Sequence, residues 1–220
     1  MREINFLETY QSRTRRDYGE RVRDHDKAEC AAIARQWGRD YWDGDRRHGY
    51  GGYRYDGRWR PIARDLAAHY GLAAGDRVLD VGCGKAHLLY ELTQEVPGIQ
   101  VAGLDISAYA LEHAKEEVRP FLTRGSATSL PWPDHSFDLV LSLNTLHNLG
   151  VADLERAVRE LQRVGRDRKW LCVESYRDER EKANLLAWQL TCESFHRPEG
   201  WRHLFEQWGY DGDVGFIYFE

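Results

Sequence analysis

The chain has 220 residues, enough for one domain with an appended segment, and its hydrophobic content of 42% is typical of a globular protein. A net charge of −5 gives no general attraction to nucleic acid or to an anionic membrane, and no apolar run approaches the roughly 18 residues of a transmembrane helix. The first residues lack the apolar core of a signal peptide, and the four cysteines show no CxxC spacing. These properties predict a cytoplasmic protein without a zinc knuckle or a disulfide framework.

Residues 1–60 form a predicted N-terminal extension with its own character. Asp24 is predicted to cap a helix that runs to about Trp37, and Pro61 suits the first turn of the helix that leads into the next domain. The intervening loop at 41–59 is rich in glycine, tyrosine and tryptophan. Because aromatic side chains are enriched at binding surfaces, we interpret this loop as a substrate lid. A dimer interface and packing within the chain are the alternatives.

Residues 61–220 form the predicted main domain, in which apolar strands alternate with amphipathic helices. The predicted strands cover residues 77–81, 99–104, 120–123, 138–143, 170–173 and 214–219. The predicted helices cover residues 85–95, a segment capped by Ser107, and residues 153–164, 179–192 and 199–208. This alternation predicts an α/β fold with a mostly parallel sheet and helices on both faces. Ligands of such sheets bind at the carboxyl ends of the strands.

A glycine-rich turn follows the first predicted strand. Asp80 lies at the end of that strand, and Gly82, Cys83 and Gly84 form the turn. Asp105 ends the next strand about twenty residues later, the distance at which an acidic residue contacts a ribose. The run predicts a nucleoside cofactor. A plain strand–helix turn and a carboxylate at a helix N-terminus are the alternatives.

The residues around the turn favour one cofactor over another. The dinucleotide pattern G-x-G-x-x-G has the bulky His87 at its third position, whereas the spacing G-x-G-x-G has the small Ala86 there. A carboxylate at Asp80 would repel a pyrophosphate, but it would attract the ammonium group of S-adenosylmethionine (SAM). SAM is therefore the better match than a nicotinamide dinucleotide.

With these motifs the chain resembles the class I SAM-dependent methyltransferases over residues 61–220. Residues 101–107, 125–138 and 142–147 are similar to the second, third and fourth motifs of that family. The resemblance implies a seven-stranded, mostly parallel Rossmann-like sheet, with SAM as cofactor and S-adenosylhomocysteine as product. Ser126 stands where this subgroup usually has an aspartate that contacts adenine. The implied cofactor contacts are Asp80, Gly82, Cys83, Gly84, Asp105, Ile106, Ser126, Ala127 and Asn144.

Methyl transfer to an alcohol or a protonated amine needs a base, in-line approach and exclusion of water, but no metal. His147, after the fourth strand, is the first candidate base, with burial in the core as its alternative role. His48 in the loop is a second candidate. The other loop side chains considered for catalysis or for contacts to a cationic or anionic acceptor are Asp45, Asp56, Tyr50, Tyr53, Tyr55, Trp59, Arg47, Arg54 and Arg58.

The sequence therefore predicts a methyltransferase that acts on nitrogen or oxygen of a small polar metabolite, such as an amino-acid-derived amine or a sugar derivative. One alternative is a SAM-binding protein without chemistry that acts as a partner subunit or a sensor. A second alternative is an NAD-dependent oxidoreductase, which His87 and Asp80 disfavour. Neither nucleic acid nor membrane is an expected partner, and homodimerisation is a further expectation.

Overall fold

The computed structural model describes residues 1–7, 18–19 and 23–220, so part of the predicted N-terminal extension lies outside the described residues. Its strands lie close to the predicted ones, because buried apolar runs bounded by turns are a strong local pattern. The strands are β1 Arg77–Val81, β2 Gln100–Asp105, β3 Leu122–Arg124, β4 Phe137–Leu143, β5 Gly165–Glu174 and β6 Asp213–Ile217.

The strands form one parallel sheet in the order β3-β2-β1-β4-β5-β6. Within the described residues the sheet has six strands, so the prediction of seven is wrong. The free edge of β6 is covered instead by the start of the chain. Glu3 forms a parallel bridge with Val214, and the Ile4 amide donates to the Val214 carbonyl at 2.7 Å. This short pairing satisfies backbone groups that an edge strand leaves open.

The helices begin and end at residues of the expected chemistry. Ser107 Oγ accepts the Ala110 amide at 3.0 Å, as predicted. The first helix is capped by Asp26 rather than Asp24, since Asp26 Oδ1 accepts the Ala28 amide at 2.8 Å. The helices are α1 Lys27–Ala34, α2 Arg39–Trp42, α3 Arg60–Tyr70, α4 His87–Glu95, α5 Ala108–Glu112, α6 Val151–Val164, α7 Glu179–Trp188 and α8 Pro198–Gln207.

Two apolar clusters cover the two faces of the sheet. Side chains alternate along the strands, so that Leu79 packs with α6 and α8 while Val78 packs with α3 and α4. The central strands are therefore buried on both faces, which fixes the positions of their carboxyl ends. No helix in the described ranges is long and apolar enough to cross a bilayer.

The order of the strands in the sheet creates a crevice at one position along the edge formed by their carboxyl ends. β1 pairs with β2 on one side and with β4 on the other. The chain therefore proceeds from β1 through β2 and β3 to one side and then crosses to β4 on the opposite side of β1. Open α/β sheets bind ligands at such a switch point. The glycine turn after β1 opens into it.

Candidate active site

A cavity of about 540 Å³ lies at the carboxyl edge of the sheet. Residues at or just after the ends of β1, β2, β3, β4 and β5 form its floor, and residues from the 37–59 segment form the facing wall. Ligand cavities that combine aromatic walls with a few convergent polar groups are typical of small-molecule sites.

The glycine turn has a backbone that larger residues would not tolerate. Gly82 has φ of 85°, and a Cβ added there would lie 2.2 Å from Thr145 Cγ2. The Gly84 amide donates to Asp105 Oδ2 at 2.7 Å, and the Ser107 amide donates to Asp105 Oδ1 at 2.8 Å. Asp105 thereby joins the turn after β1 to the end of β2. Asp105 lines the cavity, and each of its oxygens has a further lone pair that can accept a ribose hydroxyl.

Asp80 is a buried carboxylate at the base of this turn. It is 3% exposed, and within the described part of the chain its Oδ1 has no hydrogen-bond partner. Burial, followed by the nearby charge of Asp105, raises the pKa of Asp80 to about 8. Asn144 Oδ1 is a second buried oxygen without a partner among the described residues. Two acceptor oxygens that lack donors fit the ammonium group of a SAM amino-acid tail.

Every residue predicted to contact the cofactor lines this one cavity. Cys83 and Ala127 lie in its wall, and Ile106 presents an apolar side chain that is 54% exposed. Ser126 Oγ lies 2.8 Å from Thr128 Oγ1, so the hydroxyl that replaces the usual aspartate already has one hydrogen bond. The residues of the successive motifs thus form one continuous surface that runs from the end of β1 past β2 and β3.

Aromatic rings from the 41–59 loop pack directly on the glycine turn. Trp42 stacks on Tyr50 with ring centroids 5.3 Å apart, and a Cβ added at Gly84 would lie 2.7 Å from the Trp42 ring. Tyr53 stacks on His87 with centroids 5.0 Å apart. Tyr50 and Tyr53 therefore line the cavity, as the lid hypothesis requires.

The other candidate residues of the 41–59 loop do not all line this cavity. His48 does not line the cavity, because the 3₁₀ turn Arg46–His48 brings its neighbours Arg46 and Gly49 there instead. Asp45 accepts the Arg47 amide, and Asp56 pairs with Arg58, so both carboxylates have structural partners. Arg58 and Trp59 line the cavity. Arg54 and Tyr55 line a separate second cavity, and Arg47 lines neither.

An ion pair that the sequence did not reveal holds this loop in place. The buried Lys85 Nζ donates to both oxygens of Asp43 at 2.6 and 2.8 Å, and the Tyr109 hydroxyl donates to Asp43 Oδ2 at 2.9 Å. The indole N–H of Trp42 donates to Ser107 Oγ at 3.0 Å. The loop is thus attached to both helices that follow the cofactor strands. The lysine directly after Gly84 was the only local indication of this contact.

His147 and Glu174 meet in the wall of the same cavity. Both are buried, with 3.5 Å between His147 Nε2 and Glu174 Oε2. The Glu174 amide donates to His147 Nδ1 at 3.4 Å, which leaves the ring proton on Nε2, facing the carboxylate. Burial lowers the pKa of His147 to about 3, so its ring is neutral at physiological pH. Gln189 Nε2 donates to the other carboxylate oxygen.

Sequence reasoning missed Glu174, although the criterion that identified Asp105, an acidic residue at the end of a strand, applies to it as well. It ends β5 as Asp105 ends β2, and both carboxylates therefore reach the same edge of the sheet. The residues after α7 were missed for another reason. α7 ends at Trp188 instead of continuing to Cys192, and the freed segment from Gln189 to Thr191 lines the cavity.

Comparisons with known proteins agree with this site. Residues 79–173 match the methyltransferase domain family. A demethylmenaquinone methyltransferase of Symbiobacterium thermophilum is 34% identical over 54% of this chain and 50% of its own length. A 27-O-demethylrifamycin SV methyltransferase of Amycolatopsis mediterranei is 33% identical over 45% of this chain and 38% of its own length. The chain spans about half the length, or less, of these curated relatives.

The solved structures show the same fold. The YcgJ protein of Bacillus subtilis aligns with a TM-score of 0.53 and 24% identity, over 66% of this chain and 67% of that one. The matched family segment runs from within β1 to within β5, and so includes the glycine turn, Asp105 and His147. The predicted resemblance is confirmed, and with it SAM as the cofactor of the family. The match to the methyltransferase domain family extends over residues 79–173 and agrees with the predicted resemblance to the class I SAM-dependent methyltransferases.

Proposed function

We propose that this protein transfers a methyl group from SAM to oxygen or nitrogen of a small polar acceptor, and that Glu174 takes up the proton which the acceptor loses. When bound, SAM supplies an electrophilic methyl group. The observation that carries the proposal is the Glu174 carboxylate, which is buried in the cavity wall, accepts a hydrogen bond from Gln189 and lies 3.5 Å from the His147 ring. A carboxylate in this position acts as general base toward a hydroxyl or an ammonium group.

His147 acts in this proposal as a positioning residue. Its Nδ1 accepts a backbone amide and its Nε2–H faces Glu174, so it has no nitrogen lone pair to offer an acceptor. This revises the expectation that His147 is the base itself. The ring instead lies against the carboxylate, with 3.5 Å between His147 Nε2 and Glu174 Oε2, and so limits the directions that the carboxylate can take.

The walls of the acceptor side support a ring-containing polar substrate. Tyr41 and Tyr50 present ring faces and edges, and the Arg46 guanidinium lies 5.1 Å from the centre of the Trp188 ring. Such walls suit a sugar derivative or an amino-acid-derived amine, since flat apolar faces pack on C–H surfaces and on cations alike. The name of the Amycolatopsis relative specifies an oxygen acceptor, which supports oxygen as the first atom to test.

The test is turnover of SAM against a panel of acceptors that contains sugar hydroxyls, amino-acid-derived amines and hydroxyquinones. S-adenosylhomocysteine is quantified by mass spectrometry, and SAM affinity is measured by calorimetry. Glu174→Gln is expected to lower kcat by about 10²-fold or more with SAM affinity within about twofold of the parent. Glu193→Gln, an exposed carboxylate outside the cavity, is the matched control.

Three outcomes would count against the proposal. Equal kcat in Glu174→Gln and the parent protein would remove Glu174 from the chemistry. Tight SAM binding without turnover on any acceptor class would favour the non-catalytic partner or sensor. Loss of SAM binding in Glu174→Gln would show a structural role for this carboxylate.

A further inference from the structure

A second cavity of about 510 Å³ lies on the other side of the Tyr53–His87 stack. It opens over α5 and the turn that follows it. Five cationic residues and two carboxylates line it, an excess of three positive charges in a chain whose net charge is −5. The cations are Arg39, Arg54, Lys85, Lys115 and Arg119, and the carboxylates are Asp43 and Glu112.

The positive charge that is available to a ligand lies on the guanidinium groups of the three arginines. Lys85 is buried and already neutralised by Asp43. Arg39 and Arg54 are exposed, and neither side chain has a hydrogen bond or an ion pair with any described residue. Arg119 uses one nitrogen to donate to the Ala114 carbonyl at 3.0 Å, which leaves its other N–H groups for a ligand. Unpaired guanidinium forks around one cavity are suited to an oxyanion with two or more oxygens.

Aromatic rings line the same cavity. The Tyr109 and His113 rings stack with centroids 3.9 Å apart. Lys115 Nζ lies 4.1 Å from the centre of the Tyr55 ring, which places a cation beside an aromatic face. Flat faces next to positive charge suit a ligand that is planar at one end and anionic at the other.

We propose that this second cavity is a binding site for a small organic phosphate that carries a planar ring. Arg39, Arg54 and Arg119 would hold the phosphate through paired N–H···O hydrogen bonds, and Tyr55 with Tyr109 would contact the ring. The site is distinct from the cofactor and acceptor cavity, and it does not depend on the reaction proposed there. Tyr53 and His87 line both cavities and form the wall between them.

Binding is tested by calorimetry on the full chain in saturating S-adenosylhomocysteine, so that the first cavity is filled. The probes are phenyl phosphate, inorganic phosphate and phenylacetate, which separate the phosphate, the ring and a simple carboxylate. Phenyl phosphate is expected to bind at least about tenfold more tightly than either of the others. Arg39→Ala/Arg54→Ala is expected to weaken that binding by about tenfold or more, and Arg64→Ala, an exposed arginine outside both cavities, by less than about twofold.

The proposal fails if phenyl phosphate shows no saturable binding up to about 10 mM, or if phenylacetate binds as tightly. It also fails if Arg64→Ala weakens binding as much as the double variant. Thermal melting of each variant separates lost binding from lost folding. Because Arg39 and Arg54 are exposed and make no ion pair with the described residues, the double variant should fold as the parent protein does.

Discussion

Two buried carboxylates, Asp80 and Glu174, face one cavity from the ends of different strands. Buried carboxylates without a full set of partners reduce folding stability, so such residues persist where ligand binding or chemistry requires them. Asp80 shows this most directly, since one of its oxygens has no donor among the described residues. The free protein therefore holds an acceptor atom that a cationic ligand would complete.

Asp80→Asn should make the SAM-free protein more stable at pH 8 while it weakens SAM binding. The folded-state pKa of about 8 lies above the unfolded value, so the folded state retains a proton that the unfolded state loses. The carboxyl thus lowers the stability of the parent progressively as pH rises from about 4 to about 8. We expect a Tm at least about 3 °C higher at pH 8 and a SAM Kd at least about tenfold larger.

Thermal melting at several pH values and calorimetry measure the two effects, with the exposed Asp65→Asn as control. A variant that loses thermal stability and SAM affinity together would contradict this account, because Asp80 would then support the fold.

His147→Asn tests whether His147 is a base or a positioning residue. Since burial lowers the pKa of His147 to about 3, the ring stays neutral from pH 5 to pH 8 and should add no ionisation to kcat in that range. The variant is expected to lower kcat by about tenfold, to the same extent at each pH. The measurement is kcat from pH 5 to pH 8 for both proteins. A parent profile with a step near pH 6.5 that disappears in the variant would instead identify His147 as the base.

At the scale of elements, the cavity depends on how the 41–59 loop is attached. Its contacts are made to the first residues after two strands, with Lys85 after β1 and Ser107 after β2. The strands are rigid because both faces of the sheet are covered, and the loop takes its position from them. Binding residues on loops that a rigid scaffold positions are a common arrangement.

Lys85→Met should loosen the loop more than the double variant Asp43→Asn/Lys85→Met. The single change leaves a carboxylate without its cation at a partly buried position, which costs about 2 kcal/mol, whereas the double change removes both charges. The Tyr53 amide, which donates to Asp43 at 3.1 Å, reports the opening directly. Hydrogen exchange of that amide and the dissociation rate of SAM are the measurements.

In Lys85→Met, the exchange rate of the Tyr53 amide and the dissociation rate of SAM are both expected to rise by about tenfold or more. Lys182→Met, which lies outside this ion pair, is the control. Unchanged exchange at Tyr53 would show that the aromatic packing alone holds the loop.

At the scale of the whole molecule, the start of the chain completes the sheet. Residues 2–4 pair with β6, the Trp170 indole donates to the Ile4 carbonyl at 3.1 Å, and Leu7 is buried. The segment therefore both covers a strand edge and fills part of the apolar cluster on one face. Exposed strand edges promote association between chains.

Deletion of residues 2–7 should lower Tm and promote aggregation. Removal of Leu7 and Phe6 uncovers apolar surface, and removal of the pairing exposes the β6 edge. We expect a decrease in Tm of about 5 °C or more and increased light scattering near the transition. Glu3→Gln keeps the backbone pairing and removes only an exposed ion pair with Arg202, so its Tm should stay within about 2 °C. A deletion variant that melts like the parent would show that the segment contributes no stability.

The amino-acid sequence by itself determined the alternation of strands and helices and the identity of the cofactor. Those features are local, because apolar runs, a glycine turn and an acidic residue at a strand end are each set by neighbouring residues. The number of strands was wrong since it came from resemblance, and the edge beside β6 is occupied by residues from the other end of the chain.

Only the tertiary structure decided which distant residues meet. Glu174 reaches His147, Lys85 reaches Asp43, and Arg39 joins Arg119 around a second cavity. These residues are separated in sequence by lengths that no local pattern fixes. His147, Glu174 and Lys85 lie at or just after strand ends, and a sheet brings the carboxyl ends of its strands to one edge. The sequence thus determined the methyl donor, while the packing of loops over that edge brought His147 and Glu174 into the cavity that we propose for the acceptor.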